Sequence, residues 1–301
     1  MATAYPRYVE SLWQEDQSED EAREAVCSWV ESHPGRVKDG LDLEATFSRA
    51  VRKAIDEVID GSRTGRYRYE ELETQEKTYI GTRIEIVVRT EFGLEREGKL
   101  DTVIAGYPVD FKWSARGTWM IPREAVGELC LLLRGDEAGG TFSVGLVRCT
   151  EERLNLGKNQ DAKRTLSKSG RAAIRWLVED GVLPLNFLGT LDPKVRDAIL
   201  SQPAGQARVR EFFVRVTGRP VPREVIPTLA IQVDPMRRIR KDKNDRLGGM
   251  KILSGHYKVS REAAELLGYG ILSKRDYLSI PAVDLKSLPP DLQKELKFVA
   301  G

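Results

Sequence analysis

Residues 99–114 read KLDTVIAGYPVDFKWS, and the way this stretch folds decides the architecture. Strand-forming residues flank the turn tetrapeptide AGYP, which is the pattern of a β-hairpin. On an extended strand alternate side chains share a face. Asp110, Lys112 and Ser114 therefore fall on one side, and Val109, Phe111 and Trp113 on the other. The apolar side anchors the arm in a core, the polar side points into a cleft, and the turn carries Asp101 back toward Asp110.

Clustered carboxylates repel each other unless a cation lies between them, and hard oxygen ligands select Mg²⁺, with Mn²⁺ as a substitute, over zinc. A lysine on the same face can orient or deprotonate a water, or hold a phosphate oxygen. Metal-dependent phosphodiester hydrolysis is the reaction class this implies. As a bare string D…DxK more often marks solvated charges on a surface hairpin, and the flanking alternation and the turn bring the two readings level.

The rest of the chain limits the alternatives. Its 301 residues suit one large or two moderate domains, and 41% apolar residues suffice for a core. A net charge of +2 does not by itself announce a nucleic-acid binder, so the local distribution of charge carries the argument. Cys27, Cys130 and Cys149 lie far apart with no CxxC pair, the pattern of reduced, buried thiols. With only His33 and His256 present, zinc sites and histidine triads are poorly supplied, so hydrolytic chemistry must lean on carboxylates. The N-terminal stretch lacks the basic start and apolar run of a signal peptide, and no segment has the roughly 20 apolar residues of a membrane span. A soluble, cytoplasmic protein without membrane contact is expected.

Apolar residues at three- and four-residue steps predict helices up to about Gly61, which is read as a C-cap. Ile80, Ile84, Val87 and Val88 make another helix face, with a strand around Ile84–Val88 left open. IPREAVGELCLLLRG (121–135) reads as a helix and GGTFSVGLVRCT (139–150) as a buried strand. NQDAKRTLSKSGRAAIRWLVEDG (159–181) reads as a basic stretch and then a helix. The order predicts a mixed α/β domain over 1–180, a linker over 181–194 and a second domain over 195–301.

Asp101, Asp110, Phe111 and Lys112, with Pro108 just upstream, resemble the PD-(D/E)xK nuclease motif. TRIEIVV, KLDTVIAGYPVDFKWS, NQDAKRTLSKSGRAAIRWL and the distant DPMRRIRKDKND together resemble NaeI-type type II restriction endonucleases, over most of the chain. The resemblance implies that Glu85, Asp101 and Asp110 bind the metal and that Lys112 assists the attacking water, with Glu95 and Glu97 as weaker candidates for the glutamate. It also implies a xxDG element at Val58–Gly61, without the lysine needed for adenylate formation. A restriction-endonuclease-like domain followed by a winged-helix, catabolite-activator-like DNA-binding domain is the fold it implies. A homodimer acting on double-stranded DNA, with a second DNA copy as allosteric effector and a cognate DNA methyltransferase, completes that expectation.

Two basic segments read as DNA contacts. Lys158, Asn159, Gln160, Asp161, Lys163 and Arg164 mix phosphate-clamping cations with amides that suit base edges. Downstream, Asp234-Pro235 starts a helix carrying Arg237, Arg238, Arg240 and Lys241. VPREVIPTLAIQ (221–232) before it completes a helix-turn-helix, and MKIL (250–253) with HYKV (256–259) form a wing. Pro227 shortens or kinks the first helix, and a strand there stays open. Two rival readings remain: a mismatch-repair-type or modification-dependent nicking enzyme, and a non-catalytic DNA-binding regulator. The complete set Glu85, Asp101, Asp110 and Lys112 speaks against the regulator.

Overall fold

The structure, a computed structural model, describes residues 17–33, 42–157, 159–231, 236 and 247–299. Within these, the described parts of 1–37, 41–50 and 84–183 form one compact unit, and those of 51–83 and 184–301 form another. Among the described residues no helix is long and apolar enough to cross a membrane.

The first unit is built on a five-stranded mixed sheet. Strand β1 (Thr102–Ile104) and β2 (Tyr107–Ser114) form the hairpin, paired antiparallel with Thr102 opposite Val109. Ala105 and Gly106 make its turn, both with positive φ. β3 (Met120–Ile121) lies outside this sheet; β4 (Leu129–Asp136) runs parallel to β2, and β5 (Thr141–Arg148) antiparallel to β4. After β6 (Arg164–Thr165) comes β7 (Arg175–Val182), which closes the order β1-β2-β4-β5-β7.

Two of the expected helices are strands. LCLLL (129–133) lies in β4, buried on both faces between β2 and β5. An unbroken apolar run fits a central strand as well as a buried helix, and only pairing partners decide between them. IRWLVEDG likewise ends in β7; helix in this region is confined to Lys168–Ala172, where the Ser167 hydroxyl accepts the Gly170 N–H. The buried strand at 141–148 follows expectation.

Gly145 on β5 makes this arrangement possible. A Cβ there would stand 2.4 Å from Ile174 Cγ2 and 2.8 Å from Trp176 Cε3. Gly145→Ala should therefore destabilise by about 1–3 kcal/mol through overpacking, measured as a lower urea midpoint. An unchanged midpoint would show that β7 can move aside freely.

Helix α1 (Gln17–Ser32) packs on β5 through a stripe that includes Ala22, Val26 and Val30. Helix α2 (Leu43–Ile59) stops where Asp60, not Gly61, takes the left-handed conformation at φ 44°. Gly61 instead starts the short turn α3 (Gly61–Thr64), where a Cβ would meet the Tyr67 ring and the Arg66 carbonyl at 2.7 Å. Thr74–Phe92 is helix α4, with Ile80, Ile84, Val87 and Val88 all buried, so the strand alternative there is excluded.

The second unit has its own three-stranded antiparallel sheet, ordered β8 (Val221–Pro222), β10 (Asp276–Pro281), β9 (Met250–Ser254). One core gathers Val209, Phe212, Phe213, Ile226 and Leu229; another gathers Leu253, Val259, Leu278 and Ile280. Phe187 and Leu188, from the expected linker, are buried in the first of these. VPREVIPTLAIQ does form a helix, but only over Val225–Ala230. Pro227 is its third residue, where an N–H has no intrahelical acceptor to lose. MKIL is the strand expected of it. HYKV is not a strand: Tyr257 caps the start of a nine-residue helix, Lys258–Leu266. The expected recognition helix with Arg237, Arg238, Arg240 and Lys241 lies outside the described residues.

Candidate active site

The β1–β2 hairpin brings three of the expected residues together. Asp110 and Lys112 share a face of β2, with Lys112 Nζ 2.5 Å from Asp110 Oδ2. Asp101 sits one residue before β1, and its Oδ2 accepts the Phe111 backbone N–H at 2.7 Å. That bond fixes the first aspartate against the strand carrying the second. Beneath the site, Asp110 is in register with Cys130 and Lys112 with Leu132 on β4. Both belong to an apolar cluster with Trp119, Ile121 and Val147.

This placement explains the electrostatics. Asp110 is only 5% exposed, so the expectation of an open cleft face is corrected here: the carboxyl is sunk into the sheet. Its pKa is pushed up to about 7, chiefly by burial and also by the nearby Asp101 carboxyl, against the pull of Lys112. Burial would lower Lys112, but Asp110 and then Asp101 outweigh it and hold the ammonium above its ordinary range. Without a cation, the buried Asp110 carboxyl therefore holds its proton to higher pH than a solvated acid, while the lysine stays charged.

Glu85 projects from α4 beside the buried stripe. Its Oε1 accepts from Arg89 at 3.0 Å, one helical turn on. Burial raises its pKa, as does the charge of Asp101, while Arg89 and Arg96 oppose the rise. The structure therefore sets Glu85 within electrostatic reach of Asp101. Among the described residues, however, no three His, Cys, Asp or Glu side chains are gathered in a metal-binding cluster. Each carboxylate has turned to a local partner: Arg89, the Phe111 amide or Lys112. Arg89 was missed in the sequence, although its E-x-x-x-R spacing from Glu85 is the signal for such a pair.

The donor set fits a hard divalent cation. Asp110 Oδ2 is buried and makes no well-formed hydrogen bond, for all its nearness to Lys112 Nζ, and a hard cation is the partner such a carboxylate oxygen would accept.

The basic loop after β5 is a closed excursion pinned at its base, where Leu154 bridges Leu166 and Asn155 N–H reaches Thr165 O at 2.9 Å. Its tip is a tight turn, with Asn159 N–H to Lys163 O at 3.0 Å and Lys163 N–H to Asn159 Oδ1 at 2.8 Å. Asn159, Gln160 and Asp161 are exposed; Lys163 is half-buried, 3.8 Å from Asp161. Lys158 lies outside the described residues.

Arg164, expected as a DNA contact, sits at the base of this loop. It is buried, pairs with Glu151, and donates to Asn155 O at 2.7 Å and Leu154 O at 3.2 Å. Its fork holds the base of the loop. Arg164→Ala should cost about 2–3 kcal/mol and speed proteolysis within the loop, and Arg164→Lys should not restore it, because an ammonium lacks the planar fork. Unchanged proteolysis in both variants would remove this role.

Comparison with known proteins adds a family. A family model described as "Restriction endonuclease NaeI" matches residues 42–287. Type II restriction enzyme NaeI of Lentzea aerocolonigenes is 39% identical over 198 residues, 63% of this chain. The matched part spans 62% of that relative, under two thirds of its length.

Proposed function

The chain belongs to the NaeI restriction endonuclease family, and we propose that it is a metal-dependent, site-specific endonuclease of double-stranded DNA. The observation that carries this reading is the Asp101–Asp110–Lys112 group on one hairpin, with Asp110 buried, its two partners half-buried and Glu85 in electrostatic reach. Surface charge of the solvated kind would be exposed, without a displaced carboxyl or a charge-paired lysine.

Asp101 and Asp110, joined by Glu85, would hold Mg²⁺, or Mn²⁺ in its place. Such an ion, when bound, lowers the pKa of water and offsets charge on the phosphate oxygens. Lys112 remains an ammonium, so its part is to donate to the attacking water or to a phosphate oxygen rather than to take a proton. Phe111 N–H holds the Asp101 carboxylate, and the apolar cluster under β2 keeps the Asp110 side dry. The water oxygen gives up a proton to solvent as it forms the new bond to phosphorus, the bridging P–O bond breaks, and the departing oxygen takes a proton in return.

Asn159, Gln160 and Asp161 at the exposed loop tip would read base edges, with Lys158 and Lys163 on phosphates. In this reading residues 195–301 form a winged-helix-like domain that binds a second duplex through Arg237, Arg238, Arg240 and Lys241 and acts as effector. The enzyme works as a homodimer, so that two sites cut both strands of a palindrome. It acts in the cytoplasm beside a cognate methyltransferase. Incubation of the purified protein with plasmid and Mg²⁺, followed by sequencing of the ends, tests the reading. Discrete fragments with one shared terminal sequence are expected; intact plasmid, or random ends, would overturn it.

A further inference from the structure

We propose that the C-terminal unit holds one phosphate group in a basic cavity at one end of its three-stranded sheet. The topology brings three chain segments to that end. Because β8 and β9 both run antiparallel to β10, the exit of β8, the start of β10 and the exit of β9 lie side by side. They enclose a cavity of about 250 Å³, lined among others by Arg223, Ser254, His256, Lys274 and Arg275.

The lining suits an anion. Arg223 and Lys274 are exposed, and among the described residues neither has an acidic partner. Arg275 is already paired with Glu224, which locks that wall, and the Arg223 N–H donates to Arg275 O at 2.9 Å. The acid in the lining, Asp276, accepts the Ser273 N–H at 3.1 Å, which ties its carboxylate to the backbone of the neighbouring turn. The helix Lys258–Leu266 starts beside the cavity, and no side chain caps its N-terminus. Backbone N–H groups at such an end favour negative charge.

Size admits the ligand. Sites for drug-sized molecules run from about 300 to 1,000 Å³, and at about 250 Å³ this open cavity has room for a phosphate group. A guanidinium fork beside an ammonium matches the tetrahedral oxygens of phosphate. The phosphate chemistry stands on the cavity itself. That its source is a duplex backbone, rather than free phosphate, rests on the endonuclease reading above.

The test uses the full chain and inorganic phosphate, read as the ³¹P line width. Broadening is expected with the wild-type protein and is lost in Arg223→Gln/Lys274→Gln, whose thermal midpoint without phosphate is unchanged because both side chains are exposed. Arg223→Lys, which keeps the charge, retains part of the broadening. A sharp line with wild type, or equal broadening in the double variant, would overturn the site. Added duplex, held uncut in Ca²⁺, then identifies the source. Narrowing of the line, with a salt slope of duplex binding lower by about 1 in the double variant, assigns a backbone phosphate. Broadening that persists with duplex bound assigns free phosphate. Failure of duplex to bind at all counts against the endonuclease reading alone, since the phosphate measurement still reports the cavity.

Discussion

Asp110→Ala and Lys112→Ala should each reduce plasmid cleavage in Mg²⁺ by about 10²–10⁴-fold, the range for a lost proton-transfer or charge-stabilising group. Duplex binding in Ca²⁺ should change little, because neither side chain lies on the loop or the basic run proposed to grip DNA. The two losses have different causes. Asp110→Ala removes the buried acid of the site and, with it, the partner of Lys112. Lys112→Ala keeps both aspartates but removes the cation that holds the Asp110 pKa down, so the buried carboxyl is driven toward its neutral form, which is a poorer metal ligand. Leaving a buried charge unpaired is destabilising by about 3–5 kcal/mol, so activity must be compared at a temperature where both variants remain folded. Cleavage by either folded variant at the wild-type rate would end the assignment.

The second large effect concerns metal removal. The Asp110 carboxyl moves from 3.8 in an unfolded chain to about 7 in the metal-free fold. Between those values the folded protein holds a proton that the unfolded chain has lost. Metal-free stability therefore falls as pH rises through that window, by up to about 4 kcal/mol if Asp110 acted alone. Glu85, also raised, adds to the fall in the same direction. A cation binds the ionised carboxylates and so must compete with the proton. The thermal midpoint in Ca²⁺ minus that in chelator should be near zero at pH 4, grow toward pH 7 and level off above it. Asp110→Ala should flatten this difference. A difference independent of pH in the wild type would show that Asp110 is not part of a cation site.

Some of this was legible in the residues. Alternation in residues 107–114 and the turn at Ala105-Gly106 identified the hairpin, since a two-residue period and turn chemistry are local properties. The 3.6-residue spacing of Ile80, Ile84, Val87 and Val88 likewise resolved into α4. LCLLL did not yield to such reading, because its pattern is the same on a buried helix or a central strand. HYKV failed for a related reason: a tyrosine at a helix start carries no capping signal.

By itself, then, the sequence determined which residue types stood ready for phosphodiester chemistry and which faces of β2 they shared. Tertiary structure alone decided that Asp110 is buried while Lys112 pairs with it, and that the Asp101 carboxylate is tied to the Phe111 amide. It also decided that Arg164 holds a loop rather than facing outward. Burial and pairing depend on segments distant in the chain, here β4 packed against β2 and Glu151 against Arg164. No local pattern encodes them, yet they set whether a carboxyl is a solvated charge or a buried acid with a raised pKa.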